Sequence, residues 1–212
     1  MNIVLVWIQW SGKGTQARLI VDKFSYSFFE MWQKLRNFAW LVLPESSAVK
    51  KCLEAWSLVP IELTGKILTH YMESHKESFI LFDWIPRSID QKEMFDMIVW
   101  EYSIFYLDLS KSEAIKRLLG RRIDPITWEW FPWDFVWEIN PKTWNKLVTR
   151  DDDKPEAVIK RVDIFYQNTM PLLTSWAHSW KKIYNIDASK NVLEVFAQIE
   201  DILENKFYTI NE

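Results

Sequence analysis

"VWIQWSGKGTQARL", residues 6–19, follows the unbroken apolar run "NIVLV" at 2–6. Such a run, ended by a loop, suits a strand buried on both faces. The residues after it suit a helix from Gly12 to Lys23, with Ala17, Leu19, Ile20 and Phe24 on its apolar side. Between strand and helix, Gly12, Lys13, Gly14 and Thr15 would aim backbone N–H groups and one ammonium at a phosphate. Thr15 can reach the phosphates or a magnesium ion. The plain alternative is a glycine-containing turn into a helix. The strict phosphate-loop pattern also asks for glycine at the first position, where Trp7 stands, and Trp10 falls in the tightest part of the turn.

Outward from that loop, strand and helix keep alternating. "SFFEM" (27–31) reads as a short strand, and 32 to about 58 as broken helical patterns. A helix is expected after Pro60, where the missing N–H of proline costs nothing. "SFILFD" (78–83) and "SIFYLDL" (103–109) read as buried strands, each leading to a helix. Residues 121–149 show no helical period and read as an irregular insertion. One long helix is expected from Pro155 to about Leu173, then a strand at 182–187 and a final helix over 190–206. Five alternations predict an α/β fold, a five-stranded parallel sheet wrapped by helices, with ligands beyond the carboxyl ends of the strands.

Composition narrows the function classes. A net charge of -3 gives no basic field for nucleic acid. The single Cys52 excludes an internal disulfide and a cysteine-based zinc cluster. The opening "MNIVLV" has no basic leader, and no apolar run approaches the roughly 18 residues of a membrane span, so a cytoplasmic protein without membrane attachment is expected. Two counts are abnormal: 14 Trp against 4 Gly. At the usual frequency of about 7%, a chain of this length holds about 15 Gly.

A second stretch, "FDWIPRSIDQ" (82–91), puts Asp83 at a strand end and Arg87 just beyond it. A carboxylate able to order a metal ion and a guanidinium able to hold phosphate would share one cleft; a solvated turn is the alternative. Arg36, Arg117, Arg121, Arg122, Arg150 and Arg161 add further forks, several at the borders of 121–149. Phosphoryl transfer asks for such positioned positive charge and little else of the protein. "RDDDKPE" (150–156), taken alone, is a solvated helix start. His70, His75 and His178 have no nucleophile motif nearby, which argues against a hydrolase.

Together "SGKGTQA" (11–17), "LR" (35–36), "LVP" (58–60), "FDWIPRSIDQ", "KRLLGRRID" (116–124), "TRDDDKPEAVIKRV" (149–162) and "YQNTMPL" (166–172) resemble the adenylate kinase family over nearly the whole chain. The resemblance implies a P-loop kinase core at 1–29, 59–120 and 157–212, a nucleoside-monophosphate flap at 30–58 and a mobile lid at 121–156. It implies ATP and AMP as substrates, ADP as product, Mg²⁺ bound with ATP, and a monomer. Lys13, Arg87, Arg121, Arg150 and Arg161 would be catalytic. Gly12, Lys13, Gly14, Thr15, Arg117, Arg121 and Phe131 would hold ATP. Met31, Arg36, Val59, Arg87, Gln91, Arg150 and Arg161 would hold AMP, with Asp83 ordering the water around Mg²⁺. Met31 departs from the small hydroxyl residue common beside the AMP base. The lid lacks the four cysteines of zinc-bearing relatives; Asp124, Thr127, Asn140 and Thr143 stand where metal-free lids carry a polar cluster. A UMP/CMP kinase and an inert nucleotide-binding protein are the rival readings.

The same resemblance places glycine at Trp7, Trp10, Trp32, Trp56, Trp84, Trp128 and Trp144. Trp180, Trp40, Trp100, Trp137 and Trp176 are further candidates, while Trp130 and Trp133 suit genuine lid aromatics. Either a stop codon is read as glycine in the source organism, or glycine was deliberately replaced. Taken literally, each left-handed tryptophan costs about 1–2 kcal/mol. Overpacking adds about 1–3 kcal/mol more. Seven such sites would offset most of the roughly 5–15 kcal/mol that stabilises a domain. The literal chain is expected to fold poorly and not turn over.

Overall fold

The computed structural model describes residues 1–8, 10–41, 45–54, 59–149 and 153–208. Five parallel strands form the main sheet: β1 (Asn2–Trp7), β2 (Ser27–Glu30), β3 (Ile80–Asp83), β4 (Tyr102–Asp108) and β7 (Ile183–Asp187), in the order β2-β3-β1-β4-β7. In register, β1 sets Leu5 beside Asp83, and β2 sets Glu30 beside the same Asp83. Helices α1 (Lys13–Phe24), α2 (Met31–Ala39), α3 (Ser46–Glu54), α4 (Ile61–Ser74), α5 (Ile89–Ile98), α6 (Lys111–Leu119), α7 (Pro155–Asn168), α8 (Met170–His178) and α9 (Val192–Tyr208) follow in turn. The inner strands are buried because both faces carry apolar side chains; Ile3, Leu81, Phe82, Ile104 and Phe105 are wholly enclosed.

The chain divides into two compact units. The first contains Met1–Val6, Gly14–Tyr106 and Asn168–Asn185; the second contains Trp7–Lys13, Leu107–Gln167 and Ile186–Glu212. In the first, Phe29 meets Tyr71 edge-on at 4.8 Å, Phe82 meets Phe95 at 4.9 Å, and Phe95 meets Tyr102 at 5.0 Å. Beside these rings lies a buried polar network. Lys92 pairs with Asp96 at 2.8 Å, Tyr102 donates to Asp96 at 2.5 Å, and the Trp176 indole donates to the Tyr102 hydroxyl at 2.8 Å. Every member has a partner, so the network ties α5, β4 and α8 together without an orphaned charge. Burial, and then the negative Asp96, raise the Tyr102 phenol far above its ordinary value.

The expected single helix from Pro155 to Leu173 is two helices, interrupted at Thr169. Its apolar period continues across the break, but Pro171 lies within the first turn of a new helix, where proline is favoured. Residues 121–149 are also more ordered than expected. They hold the antiparallel ribbon β5 (Arg122–Ile123) and β6 (Trp130–Phe131), with further bridges Ile123–Val148 and Ile139–Lys146.

That ribbon supports two turns of one design, "DPITWE" (124–129) and "NPKTWN" (140–145). In each, the fifth residue's N–H returns to the first carbonyl: Trp128 to Asp124 at 2.9 Å, Trp144 to Asn140 at 2.8 Å. In each, the first N–H donates to the sixth carbonyl: Asp124 to Glu129 at 3.0 Å, Asn140 to Asn145 at 2.9 Å. In each, the first side chain accepts from the third N–H at 2.9 Å. This closure drives the fifth residue to positive φ, 59° at Trp128 and 61° at Trp144.

Candidate active site

In the first unit, Arg36, Arg87 and Gln91, three of the residues expected to hold AMP, are linked to the turn that follows β3. Asp83 is wholly buried. Trp84 then turns left-handed at φ 69°, Ile85–Pro86 is cis, and Arg87 precedes Ser88, whose hydroxyl caps α5 by accepting from the Gln91 N–H. The Gln91 side-chain oxygen accepts from the Arg87 N–H at 2.8 Å, which fixes the amide of a buried residue expected to read a base. Arg87 stacks its guanidinium 3.8 Å from the Trp84 ring centre; Trp84 lies 4.9 Å from Trp32, and Arg36 lies 5.8 Å from Trp32. Arg36 also donates to Gln33. Burial lowers the Arg87 guanidinium to about 10, and the Asp83 carboxylate opposes that shift. It stays a cation at neutral pH. Met31 and Val59 are buried, as apolar neighbours of a base would be.

In the second unit, the loop after β1 carries Ser11 and Gly12. The Ser11 N–H donates to the Ile8 carbonyl at 3.2 Å, and Gly12 takes φ 83°. The buried Ser11 hydroxyl has no hydrogen-bond partner among the described residues. Lys13 opens α1 with its ammonium 4.7 Å from the Trp7 ring centre. Gly14 and Thr15, which begin a segment of the first unit, follow in the first turn of that helix, exposed. Arg121 is buried between the rings of Trp10 and Trp130, at 4.6 and 4.3 Å. Its Nε donates to Asp153 at 2.6 Å, and an Nη donates to the other carboxylate oxygen. Arg161 reaches the same carboxylate at 3.4 Å. Arg117 is held by Glu113 and by the carbonyls of Ala188 and Ser189, each at 3.1 Å. Phe131 is buried 4.7 Å from Phe135. Arg150 and Trp56 lie outside the described residues.

Asp153 corrects the expectation that 150–156 is only a solvated helix start. Its carboxylate is fully buried and joins two of the expected catalytic arginines. The available signal was its place between "KRLLGRR" and "IKRV", which supply those arginines.

The polar cluster expected in the lid centres on Asp124. It accepts from Thr143 at 2.5 Å, Asn140 at 2.8 Å and Asn145 at 3.1 Å, and from the N–H groups of Ile126 and Thr127. Burial alone would raise its pKa, but these donors hold it well below the usual carboxylate range. Among the described residues no group of three or more His, Cys, Asp or Glu could hold a metal, and no helix is long and apolar enough to cross a membrane.

The family model for adenylate kinase matches residues 8–181. The adenylate kinase of Streptococcus gordonii is 30% identical, covering 96% of this chain and 99% of its own. That of Chlamydia muridarum is 26% identical over 99% of this chain and 90% of its own. That of Natronomonas pharaonis is 28% identical, with 96% and 97% covered.

Proposed function

The chain belongs to the adenylate kinase family, whose reaction converts ATP and AMP to two ADP, and we propose that it performs this transfer with the residues placed above. The observation that carries the assignment is the family match across residues 8–181, which takes in the glycine loop with Lys13 and the Asp83–Arg87 turn.

The chemistry divides between the two sets of residues. Lys13 and the N–H groups at the start of α1 bind the donor phosphates, with Arg117 and Phe131 on the ATP side. Arg36 and Arg87 hold the acceptor phosphate, and Gln91 presents its amide to the adenine. Arg121, Arg150 and Arg161 spread the charge of the phosphoryl group in flight, and transfer is direct, with no phosphoenzyme. Asp153 keeps Arg121 and Arg161 oriented. A lid at 121–156 and a flap at 30–58 exclude water, which would otherwise accept the phosphoryl group.

Asp83 is a single buried carboxylate at a strand end, a donor set that fits a cation arriving with the nucleotide and keeping most of its water. Mg²⁺ bound there would neutralise phosphate charge. A cytoplasmic monomer completes the reading.

The test is AMP-dependent ADP formation from Mg·ATP, run on the chain as written and with glycine at 7, 10, 32, 56, 84, 128 and 144. Turnover with AMP in the glycine form is expected. Turnover only with UMP or CMP would reassign the acceptor. Nucleotide binding without turnover would leave a binding protein.

A further inference from the structure

Among the described residues, six other than glycine take positive φ: Trp10 (70°), Ser25 (57°), Trp84 (69°), Trp128 (59°), Trp144 (61°) and Trp180 (57°). Left-handed backbone is uncommon outside glycine, and where it occurs Asn, Asp and His are enriched. Here five of the six are tryptophan, a residue with no local reason to be there.

At 128, 144 and 180 the backbone hydrogen bonds close the turn in this conformation without help from the side chain. Trp180 closes α8: its N–H meets the Ala177 carbonyl at 3.2 Å, and the Lys181 N–H meets the Trp176 carbonyl at 3.0 Å. Those two bonds define a Schellman motif, whose left-handed position is most often glycine. Trp128 and Trp144 hold the same place in the two matching turns, Trp84 directly follows β3, and Trp10 lies three residues beyond β1. Trp176 is the contrast. It is helical, 0% exposed and hydrogen-bonded to Tyr102, so its ring is built into the core. That corrects its earlier place among the glycine candidates. Trp7 lies in a strand and Trp32 in a helix, so backbone geometry does not sort those two.

We propose that residues 10, 84, 128, 144 and 180 are glycine in the protein its own cell makes, and that residue 176 is tryptophan. Two codons are then both written as Trp: UGG, read as tryptophan, and UGA, read there as glycine. Positions 10 and 84 give this a catalytic meaning, which rests on the kinase reading. Trp10 covers the guanidinium of Arg121, and Trp84 covers that of Arg87. Glycine at both removes the indoles that crowd the two guanidinium groups, whose in-plane N–H groups would take phosphate oxygens, and lets phosphate approach the backbone.

The experiment is the gene's codon at each tryptophan, with peptide mass spectrometry of the protein from its source organism. UGA at 10, 84, 128, 144 and 180, UGG at 176, and peptides carrying glycine at the five sites are expected. UGG at the five sites, or tryptophan in their peptides, overturns the proposal. UGA at 176 overturns its second half. None of these readouts involves turnover, so an inactive protein with confirmed glycines would count against the kinase reading alone.

Discussion

Replacing tryptophan by glycine usually destabilises a protein, yet here the sign should depend on position. Trp128, Trp144 and Trp180 are 63%, 76% and 95% exposed, so little burial is lost with their indoles. Each releases a left-handed penalty of about 1–2 kcal/mol. Against that stands about 0.4–1 kcal/mol from the greater freedom of glycine in the unfolded chain. The net gain is about 0.5–1 kcal/mol per site, or about 1.5–3 kcal/mol for Trp128→Gly, Trp144→Gly and Trp180→Gly together. At about 2–4 °C per kcal/mol for a chain of this size, Tm should rise by about 3–12 °C. Trp176→Gly should do the opposite, losing about 3–5 kcal/mol of core packing and about 1 kcal/mol of helix propensity. Urea denaturation measures both, as midpoints that move in opposite directions at unchanged slope. A triple variant no more stable than its parent, or a neutral Trp176→Gly, would refute the strain argument.

Asp153→Ala removes the carboxylate that accepts from two nitrogens of the buried Arg121 and should cost about 3–5 kcal/mol, read as a denaturation midpoint. In the glycine form, Arg87→Ala should remove a charged hydrogen bond worth about 1.5–3 kcal/mol, raising KM for AMP about 10- to 150-fold with KM for ATP little changed. The folded-state pKa of Asp124 lies below its ordinary 3.8, so its stabilisation is complete above that value and is lost as pH falls through the folded value. Amide protection factors across 124–145, the observed exchange corrected for the intrinsic rate at each pH, should therefore fall on acidification below about pH 4, and Asp124→Asn should flatten that dependence while lowering protection at neutral pH.

Strand–helix alternation was legible because buried parallel strands are continuous apolar runs, and "NIVLV" and "FILF" could hardly be anything else. The glycine loop was legible because its donors are adjacent in the chain. Asp153 was not, since one acid among three at a helix start looks solvated until a distant arginine is folded onto it. The break at Thr169 was hidden because apolar spacing runs through it. Composition and family position flagged the odd tryptophans, but only backbone angles could separate Trp180, at φ 57°, from Trp176 inside its helix. The duplicated turns at 124–129 and 140–145 showed as a repeated Pro-X-Thr-Trp; their crossed hydrogen bonds did not.

The enclosure of Trp176 also has a spectroscopic consequence. An indole at 0% exposure, hydrogen-bonded to a phenol, emits from a dry setting beyond the reach of a water-soluble quencher. Trp100 and Trp180, at 91% and 95% exposure, emit from water and meet quencher at every encounter. Acrylamide titration of the native protein therefore divides its fluorescence into shielded and open fractions. Decoding glycine at position 180 deletes signal from the open fraction alone, while the blue-shifted light of Trp176 stays behind as a built-in gauge of whether the core is closed.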